Sequence, residues 1–329
     1  MAKQENQKLK IPYLMKIFSE KTDYGHGITM PQIIDELDSY GIHAERKGIY
    51  SDIDYLNEFG FEIESRKVGK NTEYYLVSRT FELAELKLLV DSVQSAKFIT
   101  EKKSRELIKK LETLCSDSEA KQLNRQVYVQ GRIKTMNESI LYNVDAIHSA
   151  IGKNSKISFQ YWNWSVDKKM ELRKDGALYK VSPWGLSWDD ENYYMVAFDD
   201  NEKKIKHYRV DKMLRINILD EKREGMDSYK GIDMADYSNK TFGMFGGEVK
   251  TVTIECDNSF AGVMIDRFGK DVFMRRVDDG HFSISAPVAI SGQFIGWIIG
   301  LGDKVKVTGP DELIAMIKKE GARITKLYK

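Results

Sequence analysis

Cysteine is scarce: Cys115 and Cys256 are the only two in 329 residues and lie far apart in the chain. That excludes a disulfide-built fold and points to a reducing compartment in which both thiols act as small buried hydrophobes. No apolar run approaches the roughly 20 residues that a membrane span needs, and the opening MAKQENQKLK lacks the apolar core of a secretory signal. A cytoplasmic protein without membrane attachment is expected. Neither sign of charge dominates, since 51 Lys and Arg stand against 50 Asp and Glu. A nucleic-acid site would therefore have to be a local patch rather than a global field. The five histidines, at 26, 43, 148, 207 and 281, show no metal-ligand spacing, and neither cysteine adjoins one. A G-x-S-x-G elbow, a phosphate loop and a dinucleotide fingerprint are absent as well; the glycine-rich run 292–302 lacks the Lys-Ser/Thr ending. The expectation is a non-enzyme with no catalytic residue, no metal and no cofactor.

What is present is enough for roughly two to three domains with packed cores, apolar residues making up 42%. In the first 78 residues, Ile11, Leu14, Met15, Ile17 and Phe18 recur at helical spacing. A second helix opens at Thr29, an N-cap two residues before Pro31, and runs through Ile33, Ile34 and Leu37 to Gly41. A third starts near His43 or Ala44 and turns Ile49, Ile53, Leu56 and Phe59 inward. Runs 61–64 and 74–77 read as strands around 67–71. Three helices and a hairpin wing make a winged helix-turn-helix, with Glu45, Arg46, Lys47, Tyr50 and Ser51 outward where a recognition helix meets the major groove. Lys67, Lys70 and Asn71 form the wing tip beside Arg66. Residues 1–78 hold ten Lys and Arg against thirteen Asp and Glu, so DNA affinity would depend on placement. The competing reading is a small helical domain whose charges are merely solvated.

Amphipathic helices follow over 81–98, with Leu83, Leu86, Leu89, Val90 and Val93 on one side, and over 104–115. A short strand is expected at 127–129 and a further helix over 137–151. Residues 79–136 thus form a helical linker that packs on itself or dimerises.

The stretch 178–211 carries two hairpin signals, the turns 189–192 and 199–201 around the β-rich run 193–198. Strands are expected over 178–181, 193–198 and 204–210, with an opening strand over 156–162. Lys180, Lys204, Lys206, His207 and Arg209 share these strands with Tyr179, Tyr193, Tyr194 and Tyr208, a platform for anions or nucleobases. The cluster Tyr161, Trp162, Asn163 and Trp164 either stacks bases or forms the core. Pro183-Trp184-Gly185-Leu186, Tyr193-Tyr194-Met195-Val196-Ala197-Phe198-Asp199 and Tyr208-Arg209-Val210-Asp211-Lys212-Met213 resemble the WYL domain of bacterial transcription regulators, an Sm-like or SH3-like small β-barrel. Tyr193-Tyr194-Met195 stands at the tripeptide that names the family, and 44–60 resembles the family's recognition helix. The resemblance implies a site for single-stranded nucleic acid or a nucleotide at Tyr161, Lys180, His207 and Arg209, to which Lys206 is added here.

The last 90 residues alternate strand 249–255, helix 258–268, hairpin strands 272–277 and 281–286, helix 291–300, strand 304–308 and helix 310–320. This βαββαβ order suggests a ferredoxin-like split and resembles the WCX extension that follows WYL domains. The chain as a whole is expected to be multidomain α+β. Its domains are a reader (1–78), a helical linker (79–136), a sensor barrel (137–222) and a C-terminal domain (240–329). The expected role is a homodimeric transcriptional regulator that binds an operator duplex and answers to an effector. The alternative is an accessory protein, tied for example to defence or DNA damage, whose N-terminal helices do not bind promoter DNA.

Overall fold

A computed structural model describes residues 7–123, 134–189, 191–229, 240–244 and 247–329. The strand expected at 127–129 and Asp190 of the first turn lie outside them. The chain divides into two compact units, Met1–Glu138 and Ser139–Lys329.

In the first unit, α1 (Lys10–Lys21), α2 (Met30–Ser39) and α3 (Arg46–Glu58) enclose a core to which each contributes residues at helical spacing: Leu14, Ile17 and Phe18, then Ile33 and Leu37, then Ile49, Ile53 and Leu56. A three-stranded antiparallel sheet covers it, with β1 (Ile28–Thr29) and β2 (Ile63–Val68) on either side of β3 (Asn71–Leu76). The main-chain N–H of Thr29 donates to Gln32 Oε1 at 2.8 Å, a capping box that starts α2. Two glycines stop α2 and α3 by the same device. Gly41 (φ +72°) lets Ile42 N donate to Leu37 O at 3.0 Å, and Gly60 (φ +91°) lets Phe61 N donate to Leu56 O at 2.8 Å, the Schellman arrangement that only a left-handed residue permits.

This geometry corrects two expectations. Ile42 is buried and Glu45, the residue before the helix, is extended, so α3 starts at Arg46, later than the apolar pattern implied. Phe59 caps α3 and is 78% exposed; Phe61, beyond the glycine, packs on the core in its place. Beyond the sheet, α4 (Leu83–Ser95), α5 (Glu101–Glu112) and α6 (Asp117–Leu123), the last unforeseen, pack around Leu86, Val90, Cys115 and Leu123. Leu88, Leu89 and Leu114 face outward at 68%, 38% and 41% exposure.

The second unit begins with α7 (Ile140–Gly152) and a curled antiparallel half-barrel sheet. Its strands are β4 (Ser155–Trp164), β5 (Met170–Leu172), β6 (Tyr179–Asp189), β7 (Asn192–Asp199), β8 (Lys204–Arg209) and β9 (Met213–Lys222). They run in the order β5-β4-β6-β7-β8, with β9 also pairing β4. β6 is far longer than the expected strand: it passes Pro183, which has no N–H for a ladder, by a register shift between Pro183 and Gly185. A helical turn, α8 (Met226–Tyr229), follows β9. The C-terminal part is β10 (Val249–Asp257), α9 (Ala261–Phe268), β11 (Phe273–Arg276), β12 (His281–Ala289), α10 (Gly292–Gly300), β13 (Val305–Gly309) and α11 (Asp311–Leu327). Its sheet is antiparallel in the order β11-β12-β10-β13. Val252, Ile254 and Cys256 alternate inward on β10 against Phe294, Ile298 and Leu313 of the helices.

Cys115 and Cys256 are both buried free thiols, and burial pushes each up to about 11. Among the described residues, no helix is long and apolar enough to cross a membrane.

Candidate functional site

The half-barrel carries a cleft of about 950 Å³, at the upper end of ordinary ligand pockets. Its floor is a ring cluster. Phe159, Tyr161, Tyr179 and Tyr208 pack with centroids 5.3 to 6.3 Å apart, mostly edge-on, the arrangement aromatic quadrupoles favour. The three tyrosines are nine-tenths buried. Burial pushes the Tyr161 phenol up to about 12, and its oxygen accepts from Arg209 N at 3.2 Å. The Tyr179 hydroxyl is buried and has no hydrogen-bond partner among the described residues.

Edge strand β8 forms one wall. Lys206 donates to Asp199 at 3.1 Å and to Glu202, and Lys204 pairs with Glu202 at 2.9 Å. Arg209 holds both oxygens of Asp211, at 3.0 and 2.9 Å, and reaches Asn192 at 2.9 Å. Asp199 organises this corner. It also accepts from the Tyr208 hydroxyl at 2.6 Å and from the main-chain N–H groups of Asn201 and Glu202 at 3.0 and 2.9 Å. Burial alone would raise its pKa; the bonds from Tyr208, Glu202 and Lys206 outweigh it and hold the carboxyl at about 2.

The opposite wall is the turn Arg173–Gly176, left-handed at Lys174 and Asp175, which Gln160 Nε2 pins through the Gly176 carbonyl at 2.7 Å. Here Arg173 lies 5.9 Å from the Tyr161 ring and Lys174 4.7 Å from that of Tyr179. Lys212 completes the set, and Met244 closes one side. The ring of His207 is hydrogen-bonded to the main chain of Met244; burial nonetheless pulls its pKa down to about 4, so it is neutral near pH 7.

Of the five residues expected here, Tyr161, Lys206, His207 and Arg209 line the cleft together. Lys180 does not; it pairs with Glu221 at 2.6 Å. The four barrel tryptophans are not among the lining residues either, and Trp162 is buried in the fold. Sequence reasoning missed Arg173, Lys174 and Lys212, the lining cations that have no carboxylate within ion-pair distance among the described residues.

In the first unit, Glu45, Arg46, Lys47 and Ser51 are exposed at the head of α3, and Tyr50 is half-buried. Arg46 Nε donates to the Tyr50 hydroxyl at 2.9 Å, which holds the guanidinium along the helix. Lys67, Lys70 and Asn71 are exposed at the hairpin tip. Arg66 is engaged within the fold, bonded to Glu73 at 3.3 Å and to the carbonyls of Tyr24 and Gly25.

Residues 142–218 match the family model of the WYL domain, and residues 248–325 that of the WCX domain. No curated protein matches the chain. Among solved structures it is similar to Proteasome accessory factor B/C (PafBC) of Arthrobacter aurescens, at 18% identity and a TM-score of 0.27, over 94% of this chain and 46% of that one. The chain therefore spans less than half the length of that protein.

Proposed function

We propose, for a chain that carries a WYL domain followed by a WCX domain, that it is a ligand-responsive, DNA-binding transcriptional regulator of the cytoplasm. The observation that carries this reading is the cationic, tyrosine-floored cleft, whose chemistry suits a single-stranded nucleic acid or a nucleotide. Tyr194, half-buried on β7 and outside the ring cluster, is the stacking face in this reading. The fold assignments that go with it are a winged helix-turn-helix over 1–78, an Sm-like barrel over 137–222 and a ferredoxin-like domain over 240–329. The first is supported by the two helices joined at Gly41 and the hairpin after α3, the last by the strand order β11-β12-β10-β13.

A mobility-shift assay on the duplex upstream of the chain's own gene tests the reader. Arg46→Ala is expected to cost about 1–3 kcal/mol and relax base preference, while Lys70→Ala weakens all duplexes alike and lowers the salt slope by about 1. Unchanged binding by both variants, or no duplex binding by the wild type, favours the accessory-protein reading instead.

The reader module is acidic overall and short, so two copies on a two-fold operator give the affinity that one lacks. Leu88, Leu89 and Leu114 offer an apolar surface for such a homodimer. Sedimentation velocity is expected to show a dimer at micromolar concentration that Leu88→Lys dissociates; a monomer with and without DNA refutes it.

A further inference from the structure

The charges of the cleft are unevenly spent. Three of its cations are already neutralised within the fold: Lys204 and Lys206 by Glu202 and Asp199, and Arg209 by Asp211. Arg173, Lys174 and Lys212 have no ion pair among the described residues, and they share the cleft with the hydroxyl of Tyr179, which has no hydrogen-bond partner among those residues. These four groups supply donors and positive charge, although Glu202 and Asn163 also line the cleft, and their complement is a group of acceptors and negative charge.

We propose that this end of the cleft recognises a terminal phosphate, a doubly charged phosphate monoester at the end of a nucleic-acid strand or on a nucleotide, through Arg173, Lys174, Lys212 and the Tyr179 hydroxyl. The proposal rests on the reading of the cleft as a nucleic-acid site and specifies which chemical group that site selects.

The first argument is the charge count. An internal phosphodiester carries one charge, whereas a monoester carries about −1.5 to −2 near pH 7 and offers three strong acceptor oxygens. Three cations that line one partly desolvated cleft without an ion pair among the described residues repel one another, and a dianion relieves that repulsion more than a monoanion does. Lys212 registers part of this: burial first, then the Arg209 charge and, more weakly, that of Arg173, lowers its pKa against the opposing charge of Asp211.

The second argument is preorganisation. Lys174 and Asp175 hold φ of +51° and +53°, a conformation that costs non-glycine residues of order 1 kcal/mol each. The turn is kept there by the Gln160 bond to Gly176. A strained turn that aims two adjacent cations into a cleft fits a binding device better than a solvated loop. The third is size: about 950 Å³ leaves room for sugar and base beside the phosphate.

The test compares one short single-stranded oligonucleotide with a 5′-phosphate, a 3′-phosphate or hydroxyls at both ends, by fluorescence anisotropy on the full chain. One phosphorylated form is expected to bind about tenfold tighter than the hydroxyl form. Lys174→Met and Lys212→Met each lower affinity for that phosphorylated form several-fold more than for the hydroxyl form, so that the preference is lost, with unchanged circular dichroism and melting temperature. Competition by a nucleoside monophosphate but not by inorganic phosphate assigns the site to a nucleotide end; competition by both assigns it to the phosphate group itself. Equal affinity for all three strands overturns the terminal-phosphate proposal and leaves the cleft as a nucleic-acid site. No binding of any strand overturns that site as well.

Discussion

Asp199→Ala is expected to lower the unfolding free energy of the half-barrel by about 3–4 kcal/mol, the range for removing one partner of a buried charge network. The carboxylate is almost wholly buried and is the meeting point of Tyr208, Lys206 and two main-chain N–H groups. Its loss strands a buried phenol of the ring cluster, at about 1–3 kcal/mol for an unsatisfied donor, and opens the 199–202 turn. Lys206 loses less, since Glu202 still pairs with it. Asp199→Asn keeps an acceptor for the turn and is expected to fall between alanine and wild type. Urea unfolding followed by fluorescence of the four barrel tryptophans reads this directly. An alanine variant within about 1 kcal/mol of wild type would contradict the network's role.

Acidification is expected to destabilise the same domain in two successive windows. His207 has an ordinary pKa of 6.5 in the unfolded chain and about 4 in the fold. Below pH 6.5 the unfolded chain takes up a proton that the folded one refuses, so stability falls from pH 6.5 to about 4, by up to ~3 kcal/mol in all. Asp199 continues the loss: its pKa is 3.8 unfolded and about 2 folded, so its contribution is present above 3.8 and disappears as pH falls towards 2. His207→Gln should flatten the upper window and leave the lower one. Thermal melts across pH 4–7 that coincide for the variant and the wild type would refute the assignment.

How far the sequence revealed this arrangement depended on how local each cause was. Helix stops at Gly41 and Gly60 are local, and both helices could be read; Phe59 was misplaced because the Schellman turn shifts the inward position to Phe61. Strand β9 escaped notice because its alternation is interrupted: Arg215 takes φ +54° and its pairing with β4 slips twice. The cations of β8 were legible as neighbours on one strand. Their neutralisation was not, because Asp199, Glu202 and Asp211 reach them from beyond its two ends. Arg173 and Lys174 lie in a short turn after a three-residue strand, and the pairing of that strand with β4 and the Gln160 contact, across 16 residues, bring them to the cleft. His207 read as a charge because its residue type suggested one; the burial that keeps it neutral is a property of the assembled sheet.

The two cysteines matter for a reason outside the fold. Thiol-directed probes react with the thiolate, and at a pKa of about 11 only about one molecule in ten thousand carries it at pH 7 at either position. Both native thiols are thus expected to react slowly with maleimides at pH 7. A cysteine introduced at position 70 or 188 can carry a fluorophore without first stripping the protein of its own sulfhydryls.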